Sequence, residues 1–409
     1  MTDATSLQRY RAVRARTVEL AAPLSAEDQL VQSMPDASPT KWHLAHTSWF
    51  FETFVLAPRV ADYRVLDGRY AFLFNSYYET VGAHVARPAR GLLSRPSLAE
   101  VHAYRRHVDD AMARLLEAGG GDAVCELGLH HEQQHQELIL TDIKHALGTS
   151  PLRPAYAPAA PGVEAAPGAD EASGGWRELE EGLTWIGAEP GGAFAFDNEG
   201  PRHRVYLRAF ALAERPVTCG EYLRFMRDGG YERPELWLSD GWLRCRAERW
   251  RAPLYWQPGG DRGDEWVCYT LTGLRSVDPR EAVAHVSYYE ADAFARWAGA
   301  RLPTEEEWER AAQDVPVEGR FGQLHPGVAR AGRFGDVWQW TQSAYAAYPG
   351  YRPPSGALGE YNGKFMCNQM VLRGGSCFTP EGHVRATYRN FFPPEARWQA
   401  SGVRLARDA

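Results

Sequence analysis

The stretch Val124-Cys-Glu-Leu-Gly-Leu-His-His-Glu-Gln-Gln-His-Gln-Glu-Leu-Ile-Leu-Thr-Asp-Ile-Lys-His-Ala-Leu147 decides the fold of the first half of the chain. It reads as helix from end to end, and His131 and His135 stand four residues apart in it. On a helix that spacing puts both imidazoles on one face, about one turn from each other, where they can grip one metal ion. Thirteen histidines in 409 residues make one such pair by chance easy to find, so the spacing needs a second observation. Pro39-Thr-Lys-Trp-His-Leu-Ala-His-Thr-Ser-Trp-Phe-Phe-Glu52 supplies it: His46 lies among Trp42, Trp49, Phe50 and Phe54, an apolar face that would press it against a neighbouring helix. A metal site is the first hypothesis.

Working outward, helical periodicity covers roughly 6–24, 39–57, 98–119 and 122–148. Ser97 is the N-cap of the third segment and Gly119-Gly120-Gly121 its stop. Four helices with one long connection, 58–97, predict a four-helix bundle, an architecture that puts metal ligands on facing helices. From 149 to 175 the chain is mostly Pro, Ala, Gly and small polar residues, with prolines at 151, 154, 158, 161 and 167, which reads as a linker. Beyond it the texture changes to short apolar runs and many turns rich in Gly and Trp. Helices are legible near Thr218–Asp228, opening with Thr218 as cap, and at Tyr288–Ala298, following Ser287. A third starts after Thr304, with Glu305 to Glu307 in its first turn. The second half is therefore expected to be an irregular α+β domain over 176–409, after a helical domain over 1–148.

Composition sets limits. With 44% apolar and 24% charged residues and a net charge of −7 without like-charge runs, the chain is an ordinary globular protein with no nucleic-acid or anionic-membrane surface. The polar start Met-Thr-Asp-Ala-Thr-Ser-Leu-Gln-Arg-Tyr-Arg lacks a signal-peptide pattern, and no apolar run approaches ~20 residues, so no membrane span and a cytoplasmic location are expected. Cys125, Cys219, Cys245, Cys268, Cys367 and Cys377 are scattered without Cys-x2-Cys spacing, which indicates neither a disulfide framework nor a thiolate zinc site.

Five segments of the second half, Arg215-Pro-Val-Thr, His285-Val-Ser-Tyr-Tyr-Glu-Ala, Arg301-Leu-Pro-Thr-Glu-Glu-Glu-Trp-Glu, Gly335-Asp-Val-Trp-Gln-Trp-Thr and Leu372-Arg-Gly-Gly-Ser, resemble the formylglycine-generating-enzyme (sulfatase-modifying-factor) fold, a C-type-lectin-like scaffold. The first half resembles a DinB-like metal-binding bundle. In this order and with His-x3-His-x-Glu, the two together resemble the ergothioneine-biosynthesis sulfoxide synthases. That resemblance implies an O2-dependent enzyme joining hercynine to the thiol of cysteine or γ-glutamylcysteine.

Three imidazoles from two helices would leave two or three positions open on an ion, room for a thiolate and dioxygen side by side. Nitrogen ligands alone suit zinc, copper, nickel or iron; the resemblance implies non-haem Fe(II) on His46, His131 and His135. His43, one turn from His46, competes for the ligand role. His130 points elsewhere on the helix, His145 is ~15 Å along the axis from His135, and Glu137 reads as a carboxylate behind the ligands or on the helix surface. In the resembled enzymes the position of Gln134 hydrogen-bonds the hercynine imidazole. Tyr77 and Tyr78, in the loop after the second helix, are candidate proton donors that would favour sulfoxidation and C–S coupling over oxidation of the thiol to a sulfinic acid, Tyr78 slightly ahead. Arg87 and Arg90 could meet a carboxylate. The family reads Arg-Asn-Trp-Asp where this chain reads Arg389-Asn390-Phe391-Phe392. Asn390 would bond the amino-acid part of hercynine and Phe391 would pack on its trimethylammonium, whereas Phe392 replaces the aspartate that helps hold γ-glutamylcysteine and shifts weight toward free cysteine. Three other classes are open: a zinc thiol transferase on the bundle, a copper-dependent formylglycine-generating oxidase, disfavoured because only Cys377 lies in the Gly-Gly-Ser motif, and a non-enzymatic lectin-like binding module.

Overall fold

A computed structural model describes residues 3–158, 174–260 and 265–409, which form two compact units. One holds residues 1–156 together with 354–361, the other residues 157–353 together with 362–409. Of the linker read at 149–175, residues 159–173 lie outside the described residues. The division expected at 148 and 176 did not anticipate that 354–361 returns to the helical unit.

The helical unit is built on α1 (Asp3–Ala21), α2 (Thr40–Phe51), α3 (Leu98–Glu117) and α4 (Ala123–Thr149). Ser97 starts α3 with a reciprocal capping box to Glu100, and Asp122 starts α4 by accepting the amides of Val124 and Cys125. All twelve residues of α2 are buried, so this helix runs through the middle of the bundle rather than along its surface. It continues through a wider π-turn, Glu52–Leu56, to Arg59. Its close approach to α4 depends on Gly128: a Cβ there would lie 2.5 Å from Phe51 Cε1. Glu132, fully buried on α4, accepts from Arg14 of α1 at 2.8 Å and Arg105 of α3 at 2.9 Å, tying three helices together. Burial pushes its carboxyl upward, but the two guanidinium groups outweigh that and hold its pKa at about 2.

The second unit is a set of small sheets. Strands β1 (Trp176–Leu179), β2 (Gly182–Ile186), β3 (His203–Leu207) and β4 (Phe210–Ala213) open it. β5 (Trp256–Gly259), β6 (Glu265–Thr270) and β7 (Gly273–Ser276) form an antiparallel meander. β8 (Trp338–Ala344), β9 (Met370–Arg373), β10 (Asn390–Phe392), β11 (Ser401–Gly402) and β12 (Ala406–Asp408) complete the strands. The sheets order as β1-β4-β12, β2-β3, β5-β6-β7 and β10-β9-β8-β11, with β11 and β8 the parallel pair. Helices α5 (Cys219–Arg227), α7 (Tyr288–Trp297) and α8 (Glu305–Ala312) carry capping boxes from the expected residues Thr218, Ser287 and Thr304. A further helix, α6 (Ser239–Glu248), was not anticipated. Its N-cap, Leu238, offers no side-chain acceptor and so left no signal in the sequence.

The Arg-Gly-Gly-Ser motif explains itself locally. Gly374 has φ +98° and its Cβ would meet the Arg333 carbonyl at 2.8 Å, so only glycine fits. Arg373, fully buried, donates to Glu305 and Glu309 at 2.9 Å each, and Arg389 donates to both carboxylate oxygens of Glu305 at 2.8 Å. No described helix is long and apolar enough to cross a membrane.

Candidate metal centre

His46 comes from α2, His131 and His135 from successive turns of α4, and their ligating nitrogens all lie within 4.8 Å of one another. The ring centroids are 4.5 to 4.9 Å apart, and Nε2 of His46 and Nε2 of His131 approach to 3.2 Å. All three side chains are buried. Trp42 and Trp49 both stack on His46, at 4.4 and 5.4 Å, and Phe50 stacks on His131 at 4.5 Å. This aromatic packing is what the apolar pattern of 42–54 encodes.

Burial, and next to it the proximity of one imidazole to another, depresses the basicity of His46 and His135 well below the usual histidine value, and burial takes His131 down to about 3. At neutral pH the cluster is therefore uncharged and rich in lone pairs. His46 Nδ1 donates to the Phe74 carbonyl at 2.6 Å, which fixes the proton on Nδ1 and leaves the lone pair of Nε2 for the cluster. Three neutral nitrogens without a carboxylate ligand suit a borderline divalent ion such as Fe(II) or Zn(II). The residues present fit such an ion.

His43 does not join the set. Its Nδ1 is 2.8 Å from Nδ1 of His135 and its Nε2 is 3.1 Å from Oδ2 of Asp142, so it stands behind a ligand instead of replacing one. His130 pairs with Glu126 at 3.2 Å and His145 with the Ser33 hydroxyl at 2.7 Å, both away from the cluster as expected.

Tyr77 and Tyr78 stack on each other at 4.8 Å, in a loop that Asn75 organises by donating to the carbonyls of Tyr78 and Gly82. Glu360 accepts the Glu79 and Thr80 amides and the Thr80 hydroxyl, hooking 354–361 onto that loop. The Tyr78 hydroxyl is sealed from solvent among Trp49 and Phe54 and finds no hydrogen bond of normal geometry; burial raises its pKa well above 10, so it keeps its proton. A third tyrosine, overlooked in the sequence, lies beside the histidine cluster. Tyr361 donates to Oε1 of Gln134, and its ring is 5.8 Å from that of His131. The only sequence signal was an aromatic flanked by Glu360 and Asn362 inside a Gly- and Pro-rich loop.

Arg90 is not part of a solvated loop. It is 3% exposed, lies 3.5 Å over the Trp42 ring, and donates to the Ser38 hydroxyl at 2.9 Å and the Ser76 carbonyl at 3.4 Å, while its Nε is buried without a partner. Arg87 is exposed at the start of the same short helical turn, Arg87–Leu92. In the second unit, the Phe391 ring stacks on Tyr345 at 4.0 Å and lies 5.9 Å from Phe365, the Asn390 Oδ1 accepts from the Phe391 amide, and Phe392 meets Trp398 edge-on. All six cysteines are free; Cys377 is buried and Cys367 exposed.

Residues 179–326 and 327–409 match the model of the sulfatase-modifying factor enzyme 1-like domain. Hercynine oxygenase of Mycolicibacterium thermoresistibile is 32% identical over 420 residues, 91% of this chain and 88% of that one. Hercynine oxygenase of Mycobacterium tuberculosis is 32% identical over 432 residues, 97% of this chain and 96% of that one. The formylglycine-generating enzyme of Streptomyces coelicolor is 28% identical over 294 residues, 54% of this chain and 88% of its own.

Proposed function

The chain belongs to the hercynine oxygenase family, and from that premise we propose that it is a sulfoxide synthase of ergothioneine biosynthesis whose histidine cluster holds Fe(II). The reaction balances with one O2: hercynine loses the hydrogen on imidazole C2, the thiol loses its hydrogen, a C–S bond forms, one oxygen atom stays on sulfur and the other leaves as water. His46, His131 and His135 would hold the Fe(II), which when bound would supply the redox chemistry that lets dioxygen oxidise a thiolate. The observation that carries the reading is the set of three buried, neutral imidazoles converging on one point in a chain matched nearly end to end by hercynine oxygenases.

The chain's own residues do the rest. Gln134 orients the hercynine imidazole as hydrogen-bond donor or acceptor without competing for metal. Its bond to the Tyr361 hydroxyl supports Tyr361, beside Tyr78 and Tyr77, as the proton donor of the oxygen step. Arg87, and Arg90 through its free Nε, are the proposed contacts for the carboxylate of the thiol donor. Asn390 and Phe391 are the proposed contacts for the amino-acid part of hercynine. Phe392 offers no acceptor for a charge-assisted bond, which favours cysteine over γ-glutamylcysteine. A cytoplasmic setting, where thiols stay reduced, accords with six free cysteines.

Anaerobic reconstitution with Fe(II), then air with hercynine and either thiol, tests the proposal. Sulfoxide product with matching oxygen uptake is expected, with cysteine competing well. Turnover with Zn(II) and no oxygen uptake would make the protein a zinc thiol transferase instead. A hundredfold preference for γ-glutamylcysteine would remove the argument from Phe392.

A further inference from the structure

His43 and Asp142 are both buried, at 2% and 6% exposure, and form a line that ends on a metal ligand. Oδ2 of Asp142 accepts the Ser38 amide at 2.8 Å and is 3.1 Å from His43 Nε2. His43 Nδ1 is in turn 2.8 Å from His135 Nδ1. Proton bookkeeping settles the direction. The carboxylate oxygen accepts, so His43 carries its proton on Nε2. A neutral His43 then has only a lone pair on Nδ1, so the proton of the short contact to His135 belongs to His135 Nδ1. His135 Nε2 is left with its lone pair. The opposite assignment would place a proton where the ion must bind.

We propose that Asp142 and His43 act in series as positioning residues that hold His135 in the tautomer and ring orientation that offers Nε2 to the metal, His43 itself never binding the ion. The proposal rests on the metal site proposed above. Each ligand has its own arrangement. His46 donates to a backbone carbonyl, His135 is oriented by a side-chain relay, and His131 Nδ1 is buried without a hydrogen-bond partner. His135 is thus the ligand whose geometry can be altered by side-chain substitution alone. Because Asp142 also accepts the Ser38 amide just before α2, the carboxylate that sets the His135 tautomer also fixes where α2 begins. Losing an outer partner of a ligating histidine typically costs about 10–100-fold in metal affinity.

The test is anaerobic titration of the full chain with Co(II), read by visible absorption, and with Fe(II), alongside circular dichroism of each metal-free variant. Wild type should bind one ion and His46→Ala none. His43→Ala should still bind one ion, about 10–100-fold more weakly. His43→Asn returns an acceptor near the former Nδ1 and should recover most of that loss, a rescue that a merely space-filling role for His43 would not show. Asp142→Ala should weaken binding as well, and the loss in His43→Ala/Asp142→Ala should be smaller than the sum of the two single losses, because Asp142 acts on His135 through His43 and only its bond to Ser38 is independent of it. If His43→Ala does not fold, His43→Asn and Asp142→Ala carry the test, and wild-type affinity in both overturns the proposal. Wild-type affinity in His43→Ala overturns it too. So does the loss of all binding in a folded His43→Ala, which would make His43 a ligand. A wild-type chain that takes up no metal overturns the metal site itself.

Discussion

Each unit buries polar clusters, and two of them, one from each unit, are finished differently. In the second unit Glu305 and Glu309 face Arg373 and Arg389, so two carboxylates and two guanidinium groups cancel within the protein. In the helical unit His46, His131 and His135 bring three lone-pair donors together with no protein cation among them. A closed cluster repays its desolvation internally and serves the fold; an open one leaves a valence that only an added cation completes. The difference separates structural burial of polar groups from functional burial, although both look equally polar and equally inaccessible.

The contrast is sharpest when one member is removed. Glu305→Ala strands the buried Arg389 guanidinium and leaves Arg373 with Glu309 as its remaining carboxylate, and should cost the second unit about 3–5 kcal/mol, seen as a lost or strongly shifted unfolding transition. His46→Ala, His131→Ala and His135→Ala should each abolish metal uptake while circular dichroism of the metal-free protein stays as in wild type, and His130→Ala should be mild. If a histidine variant unfolded as readily as Glu305→Ala, the open cluster would be structural after all.

Gly128 tests the frame around the open cluster. Gly128→Ala drives a methyl into the buried Phe51 ring and should destabilise the helical unit by about 1–3 kcal/mol in urea titrations. It should also weaken metal binding, because His131 follows one turn later on the same helix. Unchanged stability would mean that α2 and α4 can separate freely.

Product ratio ranks the tyrosines. Removing the hydroxyl that supplies the proton should cut sulfoxide by about tenfold relative to cysteine sulfinate, equivalent to ~1.4 kcal/mol between two barriers, with iron content unchanged. Tyr361→Phe is expected to show it more strongly than Tyr78→Phe or Tyr77→Phe, since the Tyr361 hydroxyl donates to Gln134. An unchanged ratio in Tyr361→Phe with a changed one in Tyr78→Phe would restore the reading made from the sequence.

The smallest effect is that of acid on the metal-free chain. His131 folds with its pKa lowered to about 3 from an ordinary 6.5, so the folded state binds its proton less readily than the unfolded chain. Its stability contribution is complete above pH 6.5 and is lost as pH falls toward 3. Between pH 6.5 and 5.5 this one group accounts for at most about 1.4 kcal/mol, measurable as a falling urea midpoint. His131→Asn should flatten the slope.

The convergence of His46, His131 and His135 was legible because helical geometry turns a four-residue spacing into a shared face, and because the aromatic residues around His46 announce a buried helix. The caps Ser97, Thr218, Ser287 and Thr304 were legible for a similar reason, since a capping box is a local chemical code. Tyr361 and Asp142 were not. Tyr361 sits in a loop without periodicity, and its contact with Gln134 spans 227 positions. Asp142 reads as one more polar residue of a long helix until the fold sets His43 against it, 99 positions away. The short strands of the second unit were legible as texture but not as order, because pairings such as β4 with β12 depend on partners far along the chain.

The return of 354–361 to the helical unit bears on how the protein can be cut apart. The Pro- and Ala-rich stretch near 150–175 looks like a seam between two interchangeable modules. Severed there, the first piece would keep its histidines and lose Glu360, which fastens the tyrosine loop, and Tyr361, which lies over His131. Modularity on paper is not modularity in space. A graft of this bundle onto another scaffold would need to bring these eight residues from far along the chain, or accept a histidine cluster without its rim.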